Sequence, residues 1–278
     1  MCTFIKTVVF AALAASAGLI GSTQAATITY PDFSNTSGLT LNGNAAQVGN
    51  VLRVTPATFG QAGSVYSTSA ISLAPNVSFS TAFQFRFSSP AVSDGQGLGA
   101  DGLVFVVQTN SNSVGGAGGG IGYANVPNSV GIEFDTWNNG AIDGNSSNHV
   151  GIDVGGNVNS LLRSEVPTDM NNGAVWSAWV DYNGVNNLLE VRLSETTIRP
   201  VSAILSLTRN LASDLGSSNA FVGFSSGTGA AFANHDVLNW TFVDTFAPID
   251  TGNVPVPASL ALLGLGLAGL GFGRLLKR

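Results

Sequence analysis

One pattern governs the chain from residue 26 to residue 247. Short runs of apolar or β-branched residues alternate with polar ones, and clusters of Gly, Asn, Ser and Pro separate the runs. Val77-Ser-Phe79-Ser-Thr81-Ala-Phe83-Gln-Phe85-Arg-Phe87 and Leu188-Leu-Glu-Val191-Arg-Leu193 are examples. A period of two puts alternate side chains on opposite faces, which suits a half-buried strand; no stretch sustains the 3.6-residue period of an amphipathic helix. The pattern therefore predicts an all-β protein, and a stretch this long suits one antiparallel sandwich of two large sheets. No internal repeat is visible, and the glycine-rich run 115–122 reads as a loop.

Charge narrows the choice of partners. Charged residues make up 9% of the chain, against about a quarter in typical soluble domains, which excludes a charged coiled coil. Lys6 and Lys277 are the only lysines, and residues 26–253 carry six arginines against sixteen acids, a net of −10. No basic stripe is present to meet phosphates, so nucleic acid is not an expected partner. The lone Cys2 permits no internal disulfide or zinc knuckle. The Gly-rich runs lack the Lys-Ser/Thr of a phosphate loop.

The two ends read as targeting segments. Lys6 precedes the apolar run Thr7–Ile20 and the small-residue site Thr23-Gln24-Ala25, the layout of a secretory signal cleaved after Ala25; the run is short for a retained anchor. Residues 248–257 read as a linker. At the other end Val254-Pro255-Val256-Pro257 leads into the uncharged stretch 258–273 and then Arg274-Leu-Leu-Lys277-Arg278. Counted from Val254, the stretch is long enough to cross a bilayer, with the basic tail on the cytoplasmic side. This segment, 258–278 with its box, resembles a PEP-CTERM sorting signal, with Val256 where that family has Glu. The resemblance implies export in a Gram-negative bacterium, transient anchoring in the inner membrane, processing by an exosortase-like sorting protease and passage to the cell surface or matrix. A plain C-terminal anchor is the alternative.

The richest stretch is Val130 to Val154. In Val-Gly-Ile-Glu133-Phe-Asp135, the two carboxylates share one face while Ile132 and Phe134 face the core. In His149-Val-Gly-Ile-Asp153-Val, the residues His149, Gly151 and Asp153 share a face. If the runs pair around the intervening loop, His149 approaches both carboxylates and Asp143 can fold back over them. Three carboxylates and an imidazole in a partly buried site repel or protonate without a cation. One His nitrogen among oxygens suits manganese or a similar transition ion. The remaining oxygens, from Asp135, the Trp137 carbonyl, Asn139 and Asp143, suit calcium. An EF-hand is excluded, since Trp137 and Ser146 occupy its third and twelfth positions. On spacing alone, a solvated acidic hairpin stays open as the alternative.

Glu133-Phe-Asp135-Thr-Trp137-Asn-Asn139 with Asp143 and His149-Val-Gly-Ile-Asp153 resembles the metal-binding motif of legume-type (L-type) lectins. Three further segments resemble the family in the same order. They are Leu41-Asn-Gly43-Asn-Ala45 through Leu52-Arg-Val-Thr55, then Gly99-Ala100-Asp101-Gly102-Leu-Val-Phe105, then Gly223-Phe-Ser-Ser-Gly-Thr-Gly229 to His235-Asp-Val-Leu-Asn-Trp240-Thr-Phe242. The resemblance implies a concanavalin A-like sandwich or jelly roll that binds one manganese and one calcium beside a shallow carbohydrate site. It implies Glu133, Asp135, Asp143 and His149 as manganese ligands, and Asp135, the Trp137 carbonyl, Asn139 and Asp143 as calcium ligands. It implies that the Asp101 carboxylate, the Gly119 N–H and the Asn139 amide hold the sugar, that Trp137 stacks on it, and that backbone around Ala230 and Ala231 adds contacts. It also implies a cis peptide between Ala100 and Asp101, and pairing into homo-oligomers through sheet edges. The loop from Asp143 to His149 is about one residue shorter than in plant members.

Three functional classes follow: a non-catalytic lectin, a metal-stabilised surface or matrix protein, and a glycoside hydrolase on a similar sandwich. Glu133-Phe-Asp135 has the Glu-x-Asp core of laminarinase-like enzymes, but Thr136, Trp137, Asn138 and Asn139 follow where a second Glu should supply the acid. No enzyme activity is expected. His235 and Trp240 read as structural.

Overall fold

The computed structural model describes residues 27–73, 75–113 and 118–250. The segments read from the sequence as a signal, 1–25, and as a membrane-sorting tail, 258–278, lie outside the described residues, as does part of the 115–122 run. Sixteen strands are formed among those described. They are β1 (Thr27–Tyr30), β2 (Leu39–Gly43), β3 (Ala46–Val48), β4 (Val51–Thr55), β5 (Ala62–Ser67), β6 (Ile71–Ser72), β7 (Phe79–Ala91), β8 (Gly102–Gln108), β9 (Ser129–Asp135), β10 (His149–Val154), β11 (Asn157–Glu165), β12 (Trp176–Asn183), β13 (Leu188–Ser194), β14 (Leu205–Thr208), β15 (Asn219–Gly227) and β16 (Phe232–Val243). One short helix, α1 (Leu211–Leu215), is capped by Asn210, whose side chain accepts from the Ser213 N–H. Among the described residues no helix is long and apolar enough to cross a membrane.

The strands form two antiparallel sheets. The back sheet runs β14-β13-β12-β7-β16-β4-β3 with β1 added beside β16, and the front sheet runs β11-β10-β9-β8-β15-β5-β2 with β6 added beside β15. The alternation read from β7 is realised: Phe79, Phe83, Phe85 and Phe87 enter the core, while Gln84 and Arg86 on the opposite face are only partly buried. Phe83 touches Phe105, Phe134 and Phe224 of the front sheet with ring centroids 5.0–5.9 Å apart. Two of these contacts are edge-on, the preferred geometry for quadrupolar rings. The late segments 223–229 and 235–242 fall on β15 and β16, which do not pair with each other. β15 lies in the front sheet and β16 in the back, so the loop 228–231 crosses between sheets.

A single register row sets up one end of the front sheet. Ala62 opposes Gly227, Gly227 opposes Gly102, Gly102 opposes Asp135, and Asp135 opposes His149. The loops that leave this row are 56–61, 228–231, 92–101 and 136–148. The outer face of β8 and β9 is covered by residues 121–123, with Ile121 and Tyr123 packed against Val104, Val106 and Tyr66. All seven residues of β9 are therefore buried, including the two acids on its outer face.

Candidate metal centre and binding face

β9 and β10 pair antiparallel with His149 opposite Asp135 and Gly151 opposite Glu133. Gly151 matters here, because a Cβ built on it would lie 2.3 Å from Glu133 Oε1. The bare backbone lets the Glu133 carboxylate swing across to His149, whose Nε2 lies 3.1 Å from Oε1. Ligand atoms of Glu133, Asp135 and His149 all lie within 4.8 Å of one another, and all three residues are buried. Two oxygens on opposite sides of a cation with bonds of about 2.3–2.6 Å are about 5 Å apart, so this spacing fits a bound ion.

Asp143 stands beside this trio rather than within it. A short 3-10 turn, Gly140–Asp143, carries it back under the loop, where it is 3% exposed. Its Oδ2 accepts a hydrogen bond from the Asn139 N–H, and Asp135 Oδ1 accepts from the Trp137 N–H at 2.7 Å. These two bonds orient the carboxylates and shape the loop between them. Burial raises the Asp143 carboxyl above its ordinary value, opposed by the Asn139 N–H and by the charges of His149 and Arg163. Asp135 is raised well above the usual carboxylate range, first by burial and then by the charges of Glu133 and Asp143. Buried acids that raise one another's pKa, with His149 Nδ1 lacking a partner, form a donor set that a cation would neutralise.

Asp101 lies next to this centre. The Ala100–Asp101 peptide is cis. The Asp101 N–H donates to the Gly227 carbonyl at 3.1 Å, and its own carbonyl accepts from the Thr136 N–H at 2.9 Å, tying it between β15 and the metal loop. Its carboxylate is 3% exposed, and Oδ2 has no hydrogen-bond partner. Burial pushes its pKa up to about 7, helped by the Asp143 charge and opposed by the nearby Gly229 N–H, which itself donates to the Ala231 carbonyl at 3.1 Å. Asn139 is exposed, and a Cβ added to Gly119 would come within 2.8 Å of its Nδ2. A side chain at Gly229 would stand 3.5 Å from Asp101 Oδ2. Two glycines thus keep the space around the carboxylate and the amide clear. Trp137 is half-buried, Ala230 exposed and Ala231 buried.

Three neighbours carried no sequence signal. Asp94 Oδ2 accepts from the Asn138 N–H at 3.0 Å and braces the loop from outside. Ser160 Oγ lies 2.5 Å from Glu133 Oε1 and 2.8 Å from Asp153 Oδ1. Arg163 Nη1 donates to the Ile142 carbonyl at 3.1 Å. Ser160 and Arg163 sit on β11, which the Gly155-Gly156 turn folds back beside β10 with a register shift between Ile152 and Val154. Asp153 shared a face with His149 in the sequence pattern, and it is fully buried beside Glu133.

The model of the legume lectin domain family matches residues 25–255. The chain belongs to that family. The PEP-CTERM protein-sorting motif matches residues 253–278. This legume lectin domain is 32% identical over 205 residues to the L-type lectin-domain containing receptor kinase VIII.1 of Arabidopsis thaliana, covering 71% of the chain and 27% of the kinase. The chain thus spans about a quarter of that relative's length. It is 33% identical over 186 residues to the bark lectin of Styphnolobium japonicum, covering 63% and 64% of the two. Among solved structures, the lectin from Bauhinia forficata in complex with GalNAc superposes with a TM-score of 0.67 at 23% identity, covering 79% of this chain and 98% of that one. The two-sheet sandwich is therefore the legume lectin fold, set ahead of a sorting motif associated with export in Gram-negative bacteria.

Proposed function

We propose that the domain is an exported, non-catalytic lectin whose carbohydrate site depends on calcium and manganese or a similar transition ion. Glu133, Asp135, Asp143 and His149 would hold the transition ion. Asp135, the Trp137 carbonyl, Asn139 and Asp143 would hold calcium. The ions would supply fixed positive charge that keeps the acids ionised and the loop rigid. The saccharide is then gripped by this chain's own groups. Asp101 accepts from a hydroxyl pair, the Asn139 amide and the Gly119 N–H donate, Trp137 offers its face to the C–H side of the ring, and the backbone at Ala230 and Ala231 closes the floor.

The observation that supports this reading best is Asp101 Oδ2, a buried carboxylate oxygen without a partner, in a space kept open by glycines. The deep burial of Glu133 and Asp135 speaks against a hydrolase, whose carboxylate pair must flank a glycosidic bond. We read 1–25 as the signal, 26–247 as the domain, 248–257 as the linker and 258–278 as a membrane-sorting segment processed by an exosortase-type protease. The destination is the surface or matrix, and the target is exopolysaccharide or cell-surface glycan; homo-oligomers are compatible with this, and nucleic acid is not a partner.

A glycan array run with calcium and manganese, and again after chelation, tests the reading. Binding is expected only with the ions, and Asp101→Ala should abolish it while leaving the protein folded, with a single cooperative melting transition. Bound ions without any array signal would favour the metal-stabilised matrix protein instead. Reducing ends released from β-glucans would favour the enzyme.

A further inference from the structure

The loop 56–61 between β4 and β5 has no part in the site as described, yet it is fastened to the crossover loop beside Asp101. The Gly60 N–H donates to the Gly229 carbonyl at 3.1 Å, and the Thr228 N–H donates to the Gln61 carbonyl at 2.9 Å. Thr228 Oγ1 donates to the Thr58 carbonyl at 2.7 Å and accepts from the Gln61 N–H at 2.8 Å. The Ala57 N–H donates to Asn234 Oδ1 at 2.7 Å. At the tip of this braced loop stands Phe59, 69% exposed. Single exposed apolar residues are common and need no explanation. A phenyl ring held out on a loop with five fixed hydrogen bonds is different, because its position is set before any ligand arrives.

The surroundings define what such a ring can meet. A Cβ built on Gly60 would touch nothing within 4 Å, so the space beside the ring is open. Residues 229–231 present no side chain larger than a methyl group, so the crossover loop itself raises no bulky group beside Asp101. In the register row, Gly102 follows Asp101, and Ala62 lies two strands away across Gly227. Two strand spacings are about 10 Å, farther than one pyranose ring held at Asp101 reaches. Trp137 follows β9, the neighbour of β8 on the side away from β15 and β5. The binding face therefore has an aromatic ring at each end and a carboxylate near its centre.

We propose that Phe59 is a second saccharide subsite. The ligand is then an oligosaccharide of at least two residues that runs along the strand ends from Asp101 toward Ala62. Its second residue lays the C–H side of its ring on the phenyl face, an uncharged contact that tolerates several sugars. This rests on the reading that Asp101 anchors the first residue.

The test is titration calorimetry on the full chain in detergent, loaded with calcium and manganese. The probes are the methyl glycosides of galactose and mannose, N-acetylgalactosamine, and di- to tetrasaccharides ending in each. Wild type is expected to bind its preferred oligosaccharide at least about tenfold more tightly than the terminal monosaccharide. Phe59→Ala should lose about tenfold in oligosaccharide affinity and change monosaccharide affinity by less than about twofold, with an unchanged melting temperature. Phe59→Trp should keep the oligosaccharide affinity. Monosaccharide binding with no gain on extension, or equal affinities of Phe59→Ala and wild type for every oligosaccharide, would overturn the subsite and leave the Asp101 site standing. Silence toward all the sugars would overturn both.

Discussion

Asp101 is the residue on which the proposed binding face turns, and its protonation has a consequence for stability that can be measured. In the metal-free protein its folded pKa of about 7 lies above the ordinary 3.8. Folding then favours the protonated form, so this group stabilises the fold below about pH 4, and the contribution is lost as pH rises to about 7. His235 runs the other way. Burial lowers its pKa to about 3, so its contribution falls as pH drops from about 6.5 to 3. Replacing Asp101 by Asn removes the first effect and keeps the second. In chelator, the melting temperature of Asp101→Asn relative to wild type should therefore rise between pH 4 and 7. A constant offset, read by calorimetry at stepped pH, would show that Asp101 binds its proton no more tightly when folded. Gly119 offers a second test at this scale. The Cβ of Gly119→Ala would press on the Asn139 amide at 2.8 Å, and because Asn139 is exposed the strain goes into moving that amide. Carbohydrate affinity should fall about tenfold, with little change in stability; an unchanged affinity would remove Asn139 from the site. Glu133, Asp135 and His149 were legible in the sequence because strand alternation places every second residue on one face, whereas the loop residues between them have no such period and were assigned through the family resemblance. The turn Gly155-Gly156 marks β11 as the hairpin partner of β10, but the roles of Ser160 and Arg163 were not legible, since the register shift between Ile152 and Val154 decides which β11 residues lie opposite this centre.

At the scale of elements, the alternation located strands but not their sheets. β15 and β16 follow one another through four residues, yet a period of two is satisfied equally by a hairpin and by a crossover between sheets. The crossover is what lifts residues 228–231 over the strand ends and brings Gly229 to Asp101. Burial of β9 on both faces was also hidden, because the cover at residues 121–123 is a loop with no period of its own. What anchors β16 at this end of the back sheet is an ion cluster on the outer face. Asp236, fully buried, takes two bonds from Arg53, at 2.8 and 3.0 Å, and Arg86 lies 3.6 Å away. Removing one partner of a buried pair leaves uncompensated charge, so Asp236→Ala should cost about 3 kcal/mol. Denaturant unfolding measures this. A loss below about 0.5 kcal/mol would mean that water compensates the arginines and the cluster does not hold β16.

For the whole molecule, the proposed binding end and the segment 247–250 lie on different sheets, and their independence can be measured. The candidate metal loop, Asp101 and the crossover share one end of the front sheet. On the outer face of the back sheet, Ile249 closes a small cluster with Ala82 and Trp179, and the Ala247 N–H donates to Ser80 Oγ at 3.1 Å. Chelation should lower both stability and carbohydrate binding, because ions held only by the folded state contribute about 2.7 kcal/mol at a hundred times their dissociation constant. Loss of residues 248–250 should lower stability alone. Ile249 is 8% exposed, and burying such a side chain contributes about 1.5–3 kcal/mol. A chain ending at Asp250 should therefore unfold at higher denaturant than one ending at Ala247, while the two bind the same saccharides with the same affinity in calcium and manganese. If the shorter chain loses affinity as well, the back face and the binding edge are coupled through the core. Edge-on ring pairs such as Phe83 and Phe134, which join the back sheet to β9, would then be the path to examine.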